Sequence, residues 1–476
     1  VHEIAARRAA RQINQTQINQ TQINQTQINQ TQLSFDPTSP DMSIKTLGPA
    51  RIESPLASLL DSRQTTEHYV DESDRVLLDD TLSMVRTREG SVGELPSFEP
   101  AGPRRQIFFD PSKTRAGIVT CGGLCPGLND VIRSLVRNLS NHYGVRRIVG
   151  FRNGYQGFIP SYHYEVAELT PQSVRDINVE GGTVLGTSRG PQDPDAIVDC
   201  LEHLGINILF VIGGDGTMRG AMRIAQVIDE RGARIALVGV PKTIDNDIPY
   251  LDQSFGFQTA FARATESIHA VTVEAKATPY GIGLVKLMGR HSGFIACYAA
   301  LARTDADVVL IPEVEFQLDG EQGLLRYVQH RVQERGYAVV VAAEGAGQEL
   351  LEGEQATGDA SGNAALRDVC AFLRWRFAEH FTAAGLQACI RFIDPSYAIR
   401  SVAANPYDSV YCVRLAQAAV HAAMSGRTEM VVGRWRRRFV HLPMALTVSK
   451  RNQVDPHGDL WMSVLEATGQ PVRFGS

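Results

Sequence analysis

Short apolar runs recur along the middle of the chain. Each ends in small or acidic residues, and most lead into stretches whose apolar positions repeat at helical spacing. Residues 116–120 run into a turn holding Gly122, Gly123, Pro126 and Gly127, after which Val131, Leu135 and Leu139 fall at i, i+4 and i+8. That order predicts strand, glycine loop and amphipathic helix. Residues 206–212 predict a second strand, with Gly213, Gly214, Asp215, Gly216 and Thr217 in the turn and a helix from near Met218. The run RIALVGV, residues 234–240, reads as a strand buried on both faces, as in a parallel sheet, and leads into PKTIDND. A helix is predicted over 257–276, with Phe257, Phe261, Ala264, Ile268 and Val271 on one stripe. Two further strands end on Met288-Gly289-Arg290 and on Glu344. A helix over 405–425 starts at the cap-like Asn405-Pro406, and residues 429–435 and 439–444 read as short strands. Such an alternating series predicts an α/β fold. Open sheets of that class bind ligands beyond the carboxyl ends of their strands.

Outside this series the pattern weakens. Residues 13–32 repeat INQTQ four times, a period that fits neither helix nor strand and lacks the apolar surface to offset the entropy of ordering. Residues 1–41 are therefore expected to be a dispensable low-complexity tail. Residues 42–105 carry proline, serine and charge with one apolar patch at 76–78, and are expected to lie on the core or on a neighbouring subunit. Residues 346–368 are expected to form an exposed loop. The stretch after Lys450 has no informative pattern.

Composition narrows the class. A chain of 476 residues exceeds what one hydrophobic core sustains, so two core-bearing domains are expected. A net charge of -5 gives no broad basic field for nucleic acid or an anionic membrane, so phosphate binding must come from a local site. Seven irregularly spaced cysteines do not form a disulfide framework, and Cys121 and Cys125 lack a second ligand pair for zinc. Without a membrane-length apolar run or a signal peptide, a cytoplasmic location is expected.

The candidate chemistry sits in the turns. Glycine loops let backbone N–H groups and a helix N-terminus approach an anion. Asp215, a carboxylate among glycines, suits Mg²⁺ at a polyphosphate, or alternatively a helix cap. The loop at 181–193 carries one cation, Arg189, and Tyr155 in NGYQGF reads as exposed. Asp245 and Asp247 stand two residues apart behind Lys242 and Thr243, either as reactive groups or as a solvated polar loop. Arg290 can reach an anion or remain a surface arginine.

Seven stretches, CGGLCPGLN, GGTVLGTSRG, GGDGTMRGAM, PKTIDND, KLMGRHSG, AEGAGQ and IDPSYAIRS, occur in an order that resembles the phosphofructokinase family over roughly residues 106–450. The resemblance is nearest to the ATP-using branch of plants and trypanosomatids. It implies two Rossmann-like lobes with mainly parallel sheets flanked by helices and an active site in the cleft between them. The nucleotide lobe would comprise 106–256 plus 400–450, and the fructose 6-phosphate lobe 257–399 plus 451–476. It further implies that Gly123, Gly190, Gly214, Gly216 and Thr217 cradle the nucleotide phosphates and that Asp215 holds Mg²⁺. Arg189 and Lys242 would lie at the transferred phosphate, with Tyr155 near the adenine. Asp245 would be the base for the sugar 1-hydroxyl, supported by Thr243, Asp247 and Arg290. Met288, Gly289, Arg290 and Glu344 would hold the sugar. Arg391, Tyr397 and Arg400 would hold its 6-phosphate, with Arg391 reaching in from a neighbouring subunit of a homo-oligomer, tetramer or dimer.

Three positions depart from the bacterial ATP enzymes. Tyr397 replaces a histidine, Gly281 replaces a 6-phosphate arginine, and Lys242 replaces a glycine. Lys242 is shared with pyrophosphate-using relatives, but those carry aspartate at Gly216, whose side chain fills the space of the ATP α-phosphate. ATP is therefore the expected donor and pyrophosphate the alternative. NAD or lipid kinases also use GGDGT but lack PKTIDND, and a non-catalytic regulatory subunit would have lost Asp215, Asp245 or Arg290.

Overall fold

The computed structural model of the chain describes residues 41–56, 69–82, 95–351 and 366–475. The INQTQ repeat and most of the expected loop at 346–368 lie outside them. Met42–Ser476 form one compact unit.

Two sheets organise this unit. The larger has nine strands: β1 (Val76–Leu77), β2 (Ser97–Pro100), β3 (Arg115–Thr120), β4 (Arg147–Phe151), β5 (Ala167–Glu168), β6 (Ile208–Gly213), β7 (Ala236–Pro241), and then, after the second sheet in the chain, β12 (Met430–Trp435) and β13 (Arg438–Pro443). The second sheet holds β8 (Gly281–Leu287), β9 (Val308–Leu310), β10 (Tyr337–Ala343) and β11 (Cys389–Ile393). Spatial order is β1-β2-β13-β12-β7-β6-β3-β4-β5 in the first and β9-β10-β8-β11 in the second. The second sheet is parallel throughout, and the centre of the first, from β12 to β4, is parallel as well. β6 and β7 are buried at every position, which explains why their sequences read as continuous apolar runs.

The principal helices among the described residues are α1 (Leu128–Asn138), α2 (Pro194–His203), α3 (Asp215–Glu230), α4 (Phe257–Lys276), α5 (Phe294–Arg303), α6 (Leu324–Arg335), α7 (Val369–Ala383), the short α8 (Ser396–Arg400), α9 (Pro406–Met424) and α10 (Asp459–Thr468). Helix α4 has the predicted bounds and buries Phe257, Ala264, Ile268 and Val271 against β8, β10 and α5, while Phe261 is half-buried. Helix α9 begins as expected, with the Asn405 side chain accepting from the Asp408 N–H. Helix α3 begins at Asp215, three residues before the predicted start, with Gly214 at the cap position and its carbonyl accepting from the Met218 N–H at 3.0 Å.

Two segments differ from their sequence reading. Part of the extension at 42–105 is built into the larger sheet: β2 pairs with β13, and β1 with β2. Glu99 on β2 accepts from Arg104 at 2.8 Å and from His441 at 2.9 Å, and also pairs with Arg427. Burial alone would raise the Glu99 carboxyl, but His441 and Arg427 hold it far below the usual range. The tail after Lys450 is also structural. Helix α10 packs on α5 and β9, and the Gln470 amide bonds both the N–H (2.7 Å) and the carbonyl (3.2 Å) of Val309 at the sheet edge. Among the described residues, no helix is long and apolar enough to cross a membrane.

Candidate active site

Strand register brings the predicted turns together. Ile212 on β6 pairs with Thr120 on β3 and with Val240 on β7, so three βα turns leave the sheet at one level. In the second sheet Leu287 pairs with Ala343, placing Met288-Gly289-Arg290 beside Glu344. The two groups are linked by the Ser292 hydroxyl, which donates to the Asp245 carbonyl at 3.0 Å.

The first turn is braced from two sides. Gly122 takes φ +83°, a conformation other residues rarely adopt, and its carbonyl accepts from the Thr187 hydroxyl at 2.6 Å. The Lys242 ammonium donates to the Gly123 carbonyl at 2.7 Å. Lys242 is buried, and that burial pushes its ammonium below the usual lysine range. A cavity of about 270 Å³ opens here, lined by Gly122, Gly123, Leu124, Thr187, Ser188, Arg189 and Arg400. Gly190 follows at φ +91°.

At the second turn, Asp215 stands in the first turn of α3, where the helix dipole favours a carboxylate. Its Oδ1 is buried without a hydrogen-bond partner, although Arg219 Nε lies 3.2 Å away as an ion pair. The remaining oxygen, Oδ2, faces Arg451 Nη2 at 3.4 Å. A Cβ on Gly216 would meet nothing within 4 Å, whereas Thr217 is buried under Gly213. Tyr155 is buried rather than exposed. Its ring packs against Gly220 and its hydroxyl donates to the Thr217 carbonyl at 2.8 Å, so it supports the loop from beneath. The expectation of exposure failed because NGYQGF forms a short 3-10 helix that turns the ring inward onto Phe158.

The third turn carries the paired carboxylates. Thr243 donates its hydroxyl to Asp247 Oδ1 at 2.7 Å and accepts from the Asp245 N–H at 3.1 Å, fixing the loop internally. Asn246 takes φ +59°, and its side-chain oxygen accepts from the Ser254 N–H. Asp245 Oδ1 is left buried and without a partner. Its carboxyl is pushed up to about 8, chiefly by burial and then by the charges of Asp247 and Glu344. The Arg290 backbone N–H and Arg451 oppose this rise. Burial also raises Glu344, against the pull of Arg290 and Lys286.

The sugar-side residues divide. Gly289, at φ +134°, would place a Cβ 2.4 Å from the Ser292 carbonyl, and the chain turns there so that Arg290 and Glu344 approach each other. Arg400 lines the cavity at the first turn and stacks its guanidinium over the Tyr397 ring, 4.7 Å from the centroid; Tyr397 is exposed. Arg391 stands apart, mid-strand on β11, with Nε 3.6 Å from Glu274 on α4. Sequence reasoning missed Arg451, whose Nη1 lies 2.7 Å from Asp247 Oδ2. No periodicity or motif marks its segment.

The chain matches the family model Phosphofructokinase over residues 115–423. The chain belongs to the phosphofructokinase family. It is 60% identical over 442 residues to an ATP-dependent 6-phosphofructokinase of Amycolatopsis methanolica, covering 92% of this chain and 96% of that one. It is 47% identical to ATP-dependent 6-phosphofructokinase 7 of Arabidopsis thaliana, over 79% of this chain and 78% of that one. With the ATP-dependent 6-phosphofructokinase of Trypanosoma cruzi it shares 42% identity, over 84% and 83%. A crystal structure of a pyrophosphate-dependent phosphofructokinase from Marinobacter aquaeolei shares the phosphofructokinase fold, with a TM-score of 0.61 at 21% identity over 76% of this chain and 93% of that one.

Asp215 passes a chemical test for a divalent cation in this family setting. Its Oδ1 is a buried hard-oxygen donor that makes no hydrogen bond and is met only by the ion pair with Arg219, and no cluster of three or more His, Cys, Asp or Glu among the described residues forms a complete metal cage. One carboxylate completed by phosphate oxygens and water is how Mg²⁺ is usually held at polyphosphates.

Proposed function

We propose that this chain transfers the γ-phosphoryl group of ATP to the 1-hydroxyl of fructose 6-phosphate, giving fructose 1,6-bisphosphate. The observation that carries the reading is Asp245. A carboxylate oxygen without a partner stands at a level where glycine loops and a helix N-terminus also open.

In this reading Asp245 Oδ1 accepts the proton of the attacking hydroxyl as the new P–O bond forms. Thr243 and Asp247 hold the loop so that this oxygen keeps its aim. Met288, Gly289, Arg290 and Glu344 hold the sugar, and Tyr397 and Arg400 its phosphate end. Gly123, Gly190, Gly214, Gly216 and Thr217 line the donor phosphates, with Arg189 at the transferred group. Phosphoryl transfer asks chiefly for in-line positioning and positive charge around the equatorial oxygens. Mg²⁺ held by Asp215 would neutralise charge on the donor phosphates. Lys242 works from behind the first loop, because its ammonium is already bonded to the Gly123 carbonyl. Tyr155 acts on the nucleotide through the Thr217 carbonyl.

Gly216 supports ATP over pyrophosphate: the space beside it is open, and the lysine shared with pyrophosphate users is spent on a backbone carbonyl. Arg391 is assigned to a neighbouring active site in a homo-oligomer, consistent with its mid-strand position away from its own chain's loops. Residues 106–256 plus 400–450 and 257–399 plus 451–476 are assigned as the two lobes, and the cytoplasm as the location, in keeping with seven free cysteines. The test is fructose 6-phosphate with Mg²⁺ and either ATP or pyrophosphate, with bisphosphate followed through aldolase. Turnover with ATP is expected; turnover with pyrophosphate alone overturns the donor, and turnover with neither overturns the function.

A further inference from the structure

The segment after Lys450 threads between the two groups of loops. Arg451 donates from Nη1 to Asp247 Oδ2 at 2.7 Å, and its Nη2 stands 3.4 Å from Asp215 Oδ2. The next three residues are fixed in turn. The Asn452 N–H donates to the Asp247 carbonyl at 2.8 Å and its amide to the Asn246 carbonyl at 3.3 Å. Gln453 donates to the His291 carbonyl at 2.9 Å. The Val454 N–H donates to Glu313 Oε1 at 2.8 Å, an oxygen that also accepts from the Gly293 N–H at 2.9 Å. One short stretch therefore ties the Asp245 loop to the turn after β8, and its single guanidinium spans two carboxylates from different βα loops.

We propose that Arg451 is a positioning residue that anchors Asp247 permanently and holds Asp215 only until a divalent cation arrives. The two contacts are unequal, and that inequality carries the argument. At 2.7 Å the bond to Asp247 is a short charge-assisted hydrogen bond, while 3.4 Å to Asp215 is a loose one. Coulomb attraction at these distances differs little, but the hydrogen-bonding part weakens steeply with length. A cation entering at Asp215 breaks no tight hydrogen bond: Oδ1 has only the ion pair with Arg219 at 3.2 Å, and Oδ2 only the loose contact with Arg451. Asp247 stays anchored, and with it the Thr243 hydroxyl and the Asp245 backbone that Thr243 supports. Without a cation, the guanidinium keeps Asp215 and Asp247 from repelling each other apart. Arg451 thus competes weakly with the metal while keeping its site assembled.

This inference rests on the reading of Asp215 as the metal ligand, and binding separates the two. ADP affinity is measured by calorimetry with Mg²⁺ and with EDTA for wild type, Arg451→Met and Arg451→Lys. In Arg451→Met the ratio of Mg²⁺ to EDTA affinities is expected to rise about two- to fivefold, the worth of a partly exposed ion pair. Both lost terms act in that direction, since one of the two cations at Asp215 is gone, Arg219 remaining, and Asp247 adds uncompensated negative charge. In the same variant kcat is expected to fall about tenfold with little change in the KM for fructose 6-phosphate, because a misaimed loop loses rate rather than substrate binding. Arg451→Lys, which keeps the charge but not the fork, is expected to restore the ratio and only part of kcat. A merely structural role would lower melting temperature in both variants and leave the ratio unchanged, and that result overturns the proposal. Asp215→Asn is the separating arm. If it leaves the Mg²⁺ dependence of ADP binding intact, the metal assignment fails; if it abolishes that dependence while Arg451→Met alters neither ratio nor kcat, only the Arg451 inference fails.

Discussion

Replacing Asp245 by Asn should stabilise the protein while disabling it, and the size of the gain should depend on pH. The carboxyl rises from 3.8 to about 8 on folding. Between those values the native protein keeps a proton that the unfolded chain has lost, so this group's contribution to stability declines as pH rises from about 4 to about 8 and is flat above. At 1.36 kcal/mol per pH unit the penalty above pH 8 has a ceiling near 6 kcal/mol. Partial exposure and local solvent response reduce it, and about 2–4 kcal/mol is the working figure. Asparagine removes that penalty and forfeits little, because Asp245 Oδ1 has no partner and the loop's other bonds run through Thr243, Asp247 and the backbone.

For a folded unit of this size, each kcal/mol moves the melting temperature by about 1 °C. Thermal unfolding of wild type and Asp245→Asn without ligand and in EDTA, at pH 5, 7 and 9, should give a gap of about 2–4 °C at pH 9 that shrinks toward pH 5. Over the same series kcat should fall by roughly 10²–10⁴, the range for loss of a general base. A gap that is absent, or equal at all three pH values, refutes the reasoning: the carboxylate would then not be strained by burial, and its readiness to take a proton would need another source.

Two further substitutions test the donor side. Gly216→Asp should fold normally, since a Cβ there meets nothing and a first-turn acid suits the helix dipole, yet it should cut ATP kcat/KM roughly 10–100-fold by occupying phosphate space; calorimetric melting alongside steady-state kinetics checks both halves. Tyr155→Phe removes the bond to the Thr217 carbonyl and should cost about 1–3 kcal/mol by urea unfolding, raising the KM for ATP severalfold with kcat nearly kept.

The parts of this molecule that repeat were legible in its sequence. β3, β6, β7 and β8 announce themselves because both faces of a central parallel strand are apolar, and α4 because one stripe of a long helix is. The turns were legible because the chemistry needs glycine and carboxylate at strand ends. Contacts made by single residues across hundreds of positions were not. Arg451 meets Asp215 across 236 positions, and nothing local marks it. Tyr155 was misjudged because a turn-like sequence says nothing about which way its aromatic rings fall. Strands as short as β1 and β2 owe their form to the edge they complete, and their own sequence has too few residues to show a period.

The buried ionic knot at Glu99 has a consequence for where this protein can be said to begin. What is shared with the family model starts at residue 115, yet the strand that carries Glu99 lies before it. A chain begun at 115 would open one flank of β13, leave Arg427 without Glu99 and Glu72 as counter-ions, and take the hydrogen-bond acceptor from His441, in a place built to exclude water. An unpaired flank of that kind invites other chains to add to it. The edge of the family model and the edge of independent folding are therefore different lines through the same polypeptide, and trimming to the first would break the second.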